Sequence, residues 1–182
     1  MSAGEGRNLS LVRRRPLPAL AGAHPAHPIV TPAGEPPASR DGARNRPRVI
    51  VSSLASDSHT WNLVYLQLLL EELGHEVTNL GACVPDDVLV ATCTRQSPDL
   101  IVISSVNGHG FQEGERVIHA LRAQPSLAAT PIVIGGKLGT AGSDPCQSRT
   151  LIDAGYDAVF EDGAAGVVSF RSFVAALPAG AH

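Results

Sequence analysis

Five short apolar runs alternate with helix-like stretches from residue 48 onward, and this alternation constrains the fold more than any other feature of the sequence. Runs this short and rich in β-branched residues are typical of buried parallel strands, and strands that alternate with helices indicate βαβ units. The predicted strands are Val49–Leu54, Val77–Leu80, Leu100–Ser104, Pro131–Ile134 and Asp157–Phe160. We therefore predict an α/β fold: a doubly wound, flavodoxin-like (Rossmann-like) five-stranded parallel sheet with helices on both faces.

Helical periodicity fills the gaps between these strands. Within residues 60–73 leucines recur at helical spacing, and Gly74 follows as a stop signal. The other helices are expected from Pro85 onward and over residues 113–124, 147–154 and 165–177.

Residues 1–47 differ in composition from the rest of the chain. With Arg48, this segment holds eight of the 14 prolines and eight arginines against three acidic residues. Prolines remove backbone donors, and the segment has too little apolar surface to offset the entropy lost on ordering. We therefore predict a disordered Pro/Arg-rich tail over residues 1–47 and a single folded domain over residues 48–178.

Composition and charge exclude several classes of partner and compartment. A net charge of −3 and an aromatic content of 4% argue against a nucleic-acid-binding protein. The sequence has no run of about 18 apolar residues, so no membrane span is expected. The three cysteines form no CxxC pair, which indicates a cytoplasmic protein without a structural zinc site.

Polar and glycine-rich segments follow the first, third and fourth predicted strands, over residues 55–62, 104–110 and 135–140. In a sheet of this type ligands bind beyond the carboxyl ends of the strands, so these segments form the candidate site. Neither glycine-rich segment has the GxGxxG or GxxxxGK[ST] spacing of a nucleotide-phosphate loop. The glycines instead allow a bulky ligand to approach the backbone closely.

Asp57 and His59 lie two residues apart in the first segment, and three interpretations fit that spacing. A carboxylate can hold the proton of one imidazole nitrogen and leave the other nitrogen free to ligate a metal. The pair is also half of a catalytic triad, with Ser56 or Ser58 as nucleophile, although the sequence has no GxSxG elbow. Alternatively, Asp57 or Ser58 caps the following helix and His59 lies in solvent.

Three motifs in order resemble the cobalamin-binding domain of adenosylcobalamin-dependent mutases and methionine synthase. That family carries DxHxxG, SxL and GG after the first, third and fourth strands. Here Asp57-Ser58-His59 supplies DxH, Ser104-Ser105-Val106 stands at SxL, and Gly135-Gly136 supplies GG. The resemblance covers about residues 48–175 and is nearest to the small, freestanding subunit of glutamate (methylaspartate) mutase.

The resemblance implies that His59 is the axial ligand of the cobalt and that Asp57 hydrogen-bonds the far ring nitrogen. Ser104 is expected beside the benzimidazole of the cofactor's nucleotide tail, and the two glycines of GG leave room for that tail. No residue of this chain is expected to be catalytic. The expected cofactor-binding residues are Ser56, Asp57, Ser58, His59, Thr60, Asn62, Ser104, Val106, Asn107, Gly108, Gly135, Gly136, Phe160 and Gly163.

Two positions depart from the family pattern, since Asn62 stands at the glycine of DxHxxG and Val106 at the leucine of SxL. The resemblance implies adenosylcobalamin as the cofactor and a separate catalytic barrel-type mutase subunit as the partner. The predicted activity is that of an isomerase, interconverting glutamate and 3-methylaspartate only with that partner. The alternative is a stand-alone corrinoid carrier or sensor without isomerase activity.

Overall fold

The computed structural model describes residues 11–13, 46–140 and 144–177, and for residues 11–13 it describes the backbone alone. The strands are β1 (Leu11–Arg13), β2 (Arg48–Ser53), β3 (Glu76–Asn79), β4 (Leu100–Ser105), β5 (Ile132–Gly136) and β6 (Ala158–Glu161). The helices are α1 (Trp61–Glu72), α2 (Asp86–Gln96), α3 (Gly110–Arg122), α4 (Pro145–Ala154) and α5 (Ala164–Ala175), with a short 3-10 helix at Pro125–Leu127.

Strands β2 to β6 form a parallel sheet in the order β6-β5-β4-β2-β3, which is the flavodoxin-like order. This confirms the predicted five-stranded parallel sheet. The chain adds a sixth strand that was not predicted, because β1 pairs antiparallel with β6 at the edge of the sheet. Three residues are too few to show a strand period, so the sequence pattern places Leu11–Arg13 in the tail. Of the rest of the predicted tail, residues 1–10 and 14–45 lie outside the described residues, whereas residues 46–47 are described.

Alternating strand residues build two apolar layers, one on each face of the sheet. On one face Val51, Val102 and Val133 pack with residues of α1 and α5. On the other face Ile103 and Ile134 pack with residues of α2, α3 and α4. Because both faces are covered, the strands read as continuous apolar runs in the sequence.

An ion pair closes the amino-terminal edge of the sheet. Arg122 Nη2 donates to Asp157 Oδ2 at 2.7 Å, and the same carboxylate oxygen accepts the backbone N–H of Ile132 at 2.8 Å. The remaining guanidinium nitrogens of Arg122 donate to backbone carbonyls, including Gly155 at 3.0 Å and Thr130 at 2.9 Å. This cluster therefore fastens α3 to the start of β5 and β6.

Within the described ranges, no helix is both long enough and apolar enough to cross a membrane.

Candidate functional site

The candidate site lies at the carboxyl edge of the sheet, where β2 and β4 are neighbours. From β2 the chain crosses by α1 to β3 on one side, and from β4 it crosses by α3 to β5 on the other side. The loops that follow β2 and β4 therefore diverge. Such a point of reversal in the strand order creates a crevice for a ligand.

Asp57 and His59 form a hydrogen-bonded pair in this crevice. His59 Nδ1 lies 2.8 Å from Asp57 Oδ1, and the His59 side chain is 59% exposed whereas that of Asp57 is 0% exposed. Asp57 Oδ2 accepts the backbone N–H of Val106 at 2.6 Å, and Oδ1 also accepts the backbone N–H of His59 at 3.1 Å. Burial raises the pKa of Asp57, but the hydrogen bonds from Val106 and His59 outweigh it and leave that pKa below its usual value.

This geometry bears on each of the three interpretations of the Asp57–His59 spacing. Helix α1 is capped by Thr60 without a side-chain hydrogen bond, so neither Asp57 nor Ser58 acts as the N-cap. In the described part of the chain, the hydroxyls of Ser56 and Ser58 make no hydrogen bond to the His59 ring, and Ser56 Oγ instead accepts from Asn107 at 2.9 Å. The His59 imidazole is therefore oriented through Nδ1, and its Nε2 makes no hydrogen bond to Asp57.

Local hydrogen bonds fix the loop that carries this pair. The backbone oxygen of Asp57 accepts from Ser53 Oγ at 3.1 Å and from the Cys83 N–H at 2.9 Å. The Asp57 N–H donates to the Leu54 oxygen at 3.0 Å. Because both ends of the residue are held, the buried carboxylate keeps its place beneath the exposed ring.

An apolar groove runs from this crevice between α1 and α5, over the carboxyl halves of β4, β5 and β6. Its empty volume is about 660 Å³, part of which opens to solvent. Side chains of Leu66, Leu69, Val167 and Phe170 form parts of the two helical walls. The lining of the groove is largely apolar, which suits an apolar or aromatic group.

Glycines line the floor and the entrance of the groove where neighbouring backbone segments pack closely. A Cβ on Gly135 would lie 2.9 Å from the backbone oxygen of Phe160, and one on Gly136, whose φ is +103°, would clash with the Ser105 oxygen. Gly166, in the first turn of α5, has the Glu161 oxygen where a Cβ would be. These three positions therefore allow β5, β6 and α5 to approach closely.

Asn62 and Ser104 meet on one wall of the groove. Asn62 Nδ2 donates to Ser104 Oγ at 2.7 Å, which joins the first turn of α1 to the end of β4. Asn62 Oδ1 is buried and has no hydrogen-bond partner. The departure from the family's glycine thus places an amide on the groove wall rather than an open backbone.

The structure brings the predicted site residues together in two adjoining groups. Asn62, Ser104, Val106, Gly135, Gly136, Phe160 and Gly163 line the groove. Ser56, Asp57, His59 and Asn107 are joined by hydrogen bonds at its mouth, and Gly108 adopts a φ of +83° beside them. Ser58 and Thr60 are exposed on the same loop, and no described contact ties their side chains to the groove.

Sequence reasoning missed the helical walls of the groove. Tyr65, Leu66 and Leu69 of α1 and Val167 and Phe170 of α5 line it as well. Their spacing by three or four residues was the available signal, but the same spacing describes ordinary core residues. Glu161 and Asp162 also line the groove, so carboxylates lie close to the space that the family resemblance assigns to the cofactor's nucleotide tail.

The metal-binding chemistry of the site is limited to one imidazole. Among the described residues, no group of three or more His, Cys, Asp or Glu side chains could hold a metal ion. A single oriented imidazole next to an apolar groove is typical of one class of ligand-binding domain. A metal held there would have to bring most of its own ligands, as it does in a macrocycle.

A family model described as the B12 binding domain matches residues 47–170. The chain belongs to the B12-binding domain family, which confirms the predicted resemblance.

The curated relatives described here are both named glutamate mutase sigma subunits. The chain is 29% identical over 115 residues to the glutamate mutase sigma subunit of Halobacterium salinarum, covering 63% of this chain and 76% of the relative. It is 25% identical over 136 residues to the glutamate mutase sigma subunit of Treponema denticola, covering 72% of this chain and 94% of the relative.

Solved structures share the fold. A cobalamin-binding protein from Desulfitobacterium hafniense superposes with a TM-score of 0.56 at 21% identity, covering 71% of this chain and 59% of that one. The chemotaxis response regulator CheY4 of Vibrio cholerae gives 0.55 at 15% identity, covering 71% and 98%. At these identities the likeness extends to the flavodoxin-like fold alone.

Proposed function

We propose that this chain is the cobalamin-binding subunit of an adenosylcobalamin-dependent carbon-skeleton mutase of the glutamate mutase type. In this role it presents the corrin to a separate catalytic barrel subunit, which interconverts glutamate and 3-methylaspartate. The observation that carries the proposal is the Asp57–His59 pair, an exposed imidazole on a fully buried carboxylate at the mouth of the groove. The names of the curated relatives support the mutase assignment.

The residues present fit a corrinoid. His59 would ligate the cobalt through Nε2, because Asp57 holds Nδ1 at 2.8 Å and thereby fixes the tautomer. Asp57 is itself held by the Val106 N–H, so the ring is oriented before any ligand binds. When bound, adenosylcobalamin supplies an adenosyl radical by cleavage of its cobalt–carbon bond.

The groove would hold the nucleotide tail of the cofactor. Gly135 and Gly136 leave the floor without side chains, and Leu66 and Phe170 supply apolar walls. Ser104, Asn62 and Tyr65 supply neutral polar groups along it. Glu161 and Asp162 repel a phosphate, so the tail phosphate is expected to lie away from these two carboxylates.

A partner surface begins beside the proposed metal ligand. Trp61, Val64, Tyr65 and Leu68 are 84%, 41%, 50% and 60% exposed and share one face of α1. An exposed apolar patch of this kind marks an interaction site. The proposed barrel subunit would cover the exposed side of the corrin and exclude water from the reacting centre.

The decisive experiment compares visible spectra of cobalamin bound to the wild-type chain and to His59→Ala. We expect the variant to lose the spectrum of histidine-ligated cobalt and to bind at least 100-fold more weakly, because it lacks the metal ligand. His119→Ala, an exposed histidine on α3, is the matched control and is expected to bind as the wild type does. An unchanged spectrum in His59→Ala would contradict the assignment.

The mutase assignment is tested by adding a barrel-type glutamate mutase subunit. The mixture is expected to convert glutamate to 3-methylaspartate in the presence of adenosylcobalamin, whereas this chain alone is expected to convert none. Full cobalamin binding without turnover beside any mutase barrel would favour the carrier or sensor function instead.

A further inference from the structure

The side-chain amide of Asn107 joins the two loops that meet at the mouth of the groove. Its Nδ2 donates to Ser56 Oγ at 2.9 Å, and these two residues are 51 positions apart in the chain. Its Oδ1 accepts the backbone N–H of His109 at 2.9 Å and the hydroxyl of Ser105 at 3.2 Å. Because a backbone N–H can only donate, the bond from His109 fixes which end of the amide faces Ser56.

Ser56 is held from a second side by helix α3. Its backbone N–H donates to Glu113 Oε2 at 3.3 Å, while its hydroxyl accepts from Asn107. Ser56 immediately precedes Asp57, the buried carboxylate that bonds the His59 ring. The position of Ser56 is therefore coupled to that of the carboxylate through one peptide bond.

Two adjacent residues of one loop are thereby bonded to two adjacent residues of the other. The Val106 N–H donates to Asp57 Oδ2 at 2.6 Å, and the next residue, Asn107, donates to Ser56 at 2.9 Å. The second bond restrains the first, because neighbouring residues of a chain cannot move independently. Asp57 in turn bonds His59 Nδ1 at 2.8 Å and so orients the ring.

We propose that Asn107 is a positioning residue for the axial ligand of the cobalt. Acting through Ser56, it keeps the Asp57 carboxylate where it holds His59 with Nδ1 protonated and Nε2 available to the metal. Asn107 thus serves the cofactor by holding two loops of the protein together. This inference rests on the proposed function, in which His59 ligates the cobalt, but the effect on the ring exists before any cofactor binds.

The test measures the His59 ring in the full chain, first without cofactor. NMR of the histidine ring nitrogens gives the ratio of the Nδ1–H to the Nε2–H tautomer, and His59→Ala assigns the signals. We expect Ser56→Ala and Asn107→Ala each to lower this ratio about threefold, the size of one net hydrogen bond. Ser56→Ala removes only a hydroxyl from an exposed residue, so it keeps the test valid if Asn107→Ala disturbs its own loop.

Cobalamin binding is then followed by visible spectroscopy. Both variants are expected to bind cobalamin about two- to threefold more weakly, because the ring is less often presented in the ligating tautomer. In the double variant Ser56→Ala/Asn107→Ala the tautomer ratio should be no lower than in Asn107→Ala alone, since both substitutions remove the same bond. If the two losses multiply instead, Asn107 acts on the ring by another route and the inference is wrong.

Asn79→Ala is the matched control. Like Asn107, Asn79 accepts a backbone N–H, here from Gly81 at 2.9 Å, and donates to a side-chain oxygen, here of Gln67 at 3.1 Å. In the described part of the chain, neither partner bonds the His59 ring. Asn79→Ala should therefore lower the free energy of unfolding much as Asn107→Ala does, but keep the wild-type tautomer ratio. A ratio that falls equally in Asn79→Ala would make the effect a general loss of stability and overturn the inference.

Three other outcomes also count against the inference. A wild-type tautomer ratio in both single variants would overturn it and leave the proposed function intact if cobalamin still binds. A lowered ratio without any loss of cobalamin affinity would show that the ring's tautomer does not matter for ligation, and would overturn it as well. If the wild-type chain binds no cobalamin, the proposed function fails and this inference fails with it.

Discussion

Two aspartate pairs at opposite edges of the same sheet show how differently one kind of interaction can be used. At the amino-terminal edge Asp157 pairs with Arg122 at 2.7 Å, and both side chains are about one-fifth exposed. At the carboxyl edge Asp57 pairs with His59 at 2.8 Å, but there the carboxylate is fully buried and its partner is mostly exposed. Each carboxylate also accepts a backbone N–H from a strand or strand end, from Ile132 and Val106 respectively.

The two pairs differ in the nitrogens of Arg122 and His59 that do not bond the aspartate. Arg122 uses its remaining nitrogens on the carbonyls of Gly155, Leu127 and Thr130, so the cluster satisfies itself. His59 gives one nitrogen to Asp57 and keeps the other in solvent. A pair that saturates itself stabilises the fold, whereas a pair that leaves one oriented atom exposed is available for a ligand.

The largest effect on stability is expected from breaking the saturated pair. Arg122→Ala should lower the free energy of unfolding by about 2–4 kcal/mol, because it leaves Asp157 and several carbonyls without their donor. Denaturant unfolding measures this. Arg149→Ala removes an exposed pair to Asp153 at 3.8 Å and should change stability by less than about 0.5 kcal/mol. If Arg122→Ala stays folded but loses affinity for cobalamin, the claim that this pair serves only the stability of the fold would be contradicted.

Breaking the unsaturated pair should act mainly on the ligand. Asp57→Ala is expected to weaken cobalamin binding about 10–100-fold, because the His59 ring loses the group that fixes its tautomer and orientation. The free energy of unfolding should also fall, by about 1–3 kcal/mol, since the Val106 N–H loses its acceptor. Spectroscopic titration and denaturant unfolding separate the two effects. A stability loss without any loss of affinity would make Asp57 a purely structural residue.

A smaller effect is expected from pH. The pKa of Asp57 in the folded chain lies below its ordinary value of 3.8, because the hydrogen bonds from Val106 and His59 outweigh the burial that raises it. The stability that this group contributes is therefore fully present above pH 3.8 and is lost as pH falls through the lower folded value. Comparing the unfolding free energies of the wild type and Asp57→Asn across that range measures it. If the unfolding free energies of the wild type and Asp57→Asn changed with pH in the same way, the lowered pKa of Asp57 would be contradicted.

The smallest effect is expected from removing residues 1–46. The five parallel strands keep all their pairings, and only the antiparallel edge strand β1 is lost. We expect the shortened chain to unfold cooperatively, to bind cobalamin as before, and to lose no more than about 2 kcal/mol of stability. Thermal unfolding followed by circular dichroism tests this. Loss of the cooperative transition would show that the segment belongs to the folded domain.

The sequence predicted the sheet and the position of the candidate site because both depend on local signals. Strand and helix periods are visible within a few residues, and the strand-end rule then brings the loops near Asp57, Ser104 and Gly135 to one edge. Contacts between distant side chains leave no such signal: the Asn62–Ser104 bond joins residues 42 positions apart. Helix α3 likewise starts at Gly110, earlier than predicted, because a glycine there reads as a loop.

That same glycine shows why the prediction failed. A Cβ on Gly110 would lie 2.9 Å from Leu138 Cδ2 and from Ser105 Cβ, so the helix begins with the one residue that fits between them. Tertiary packing, not helix propensity, selects it. The walls of the groove were missed for a related reason, since Leu66 and Phe170 show the same helical period whether they pack against protein alone or also line a groove.

Val106 belongs to both parts of the candidate site. Its backbone N–H holds Asp57 at 2.6 Å, and the residue also lines the groove. A double-mutant cycle that combines a groove substitution with Asp57→Ala should therefore give a non-additive change in binding free energy, as it does for residues that share a partner. In the proposed complex, binding at the cobalt end and binding at the tail end would then be thermodynamically coupled rather than independent.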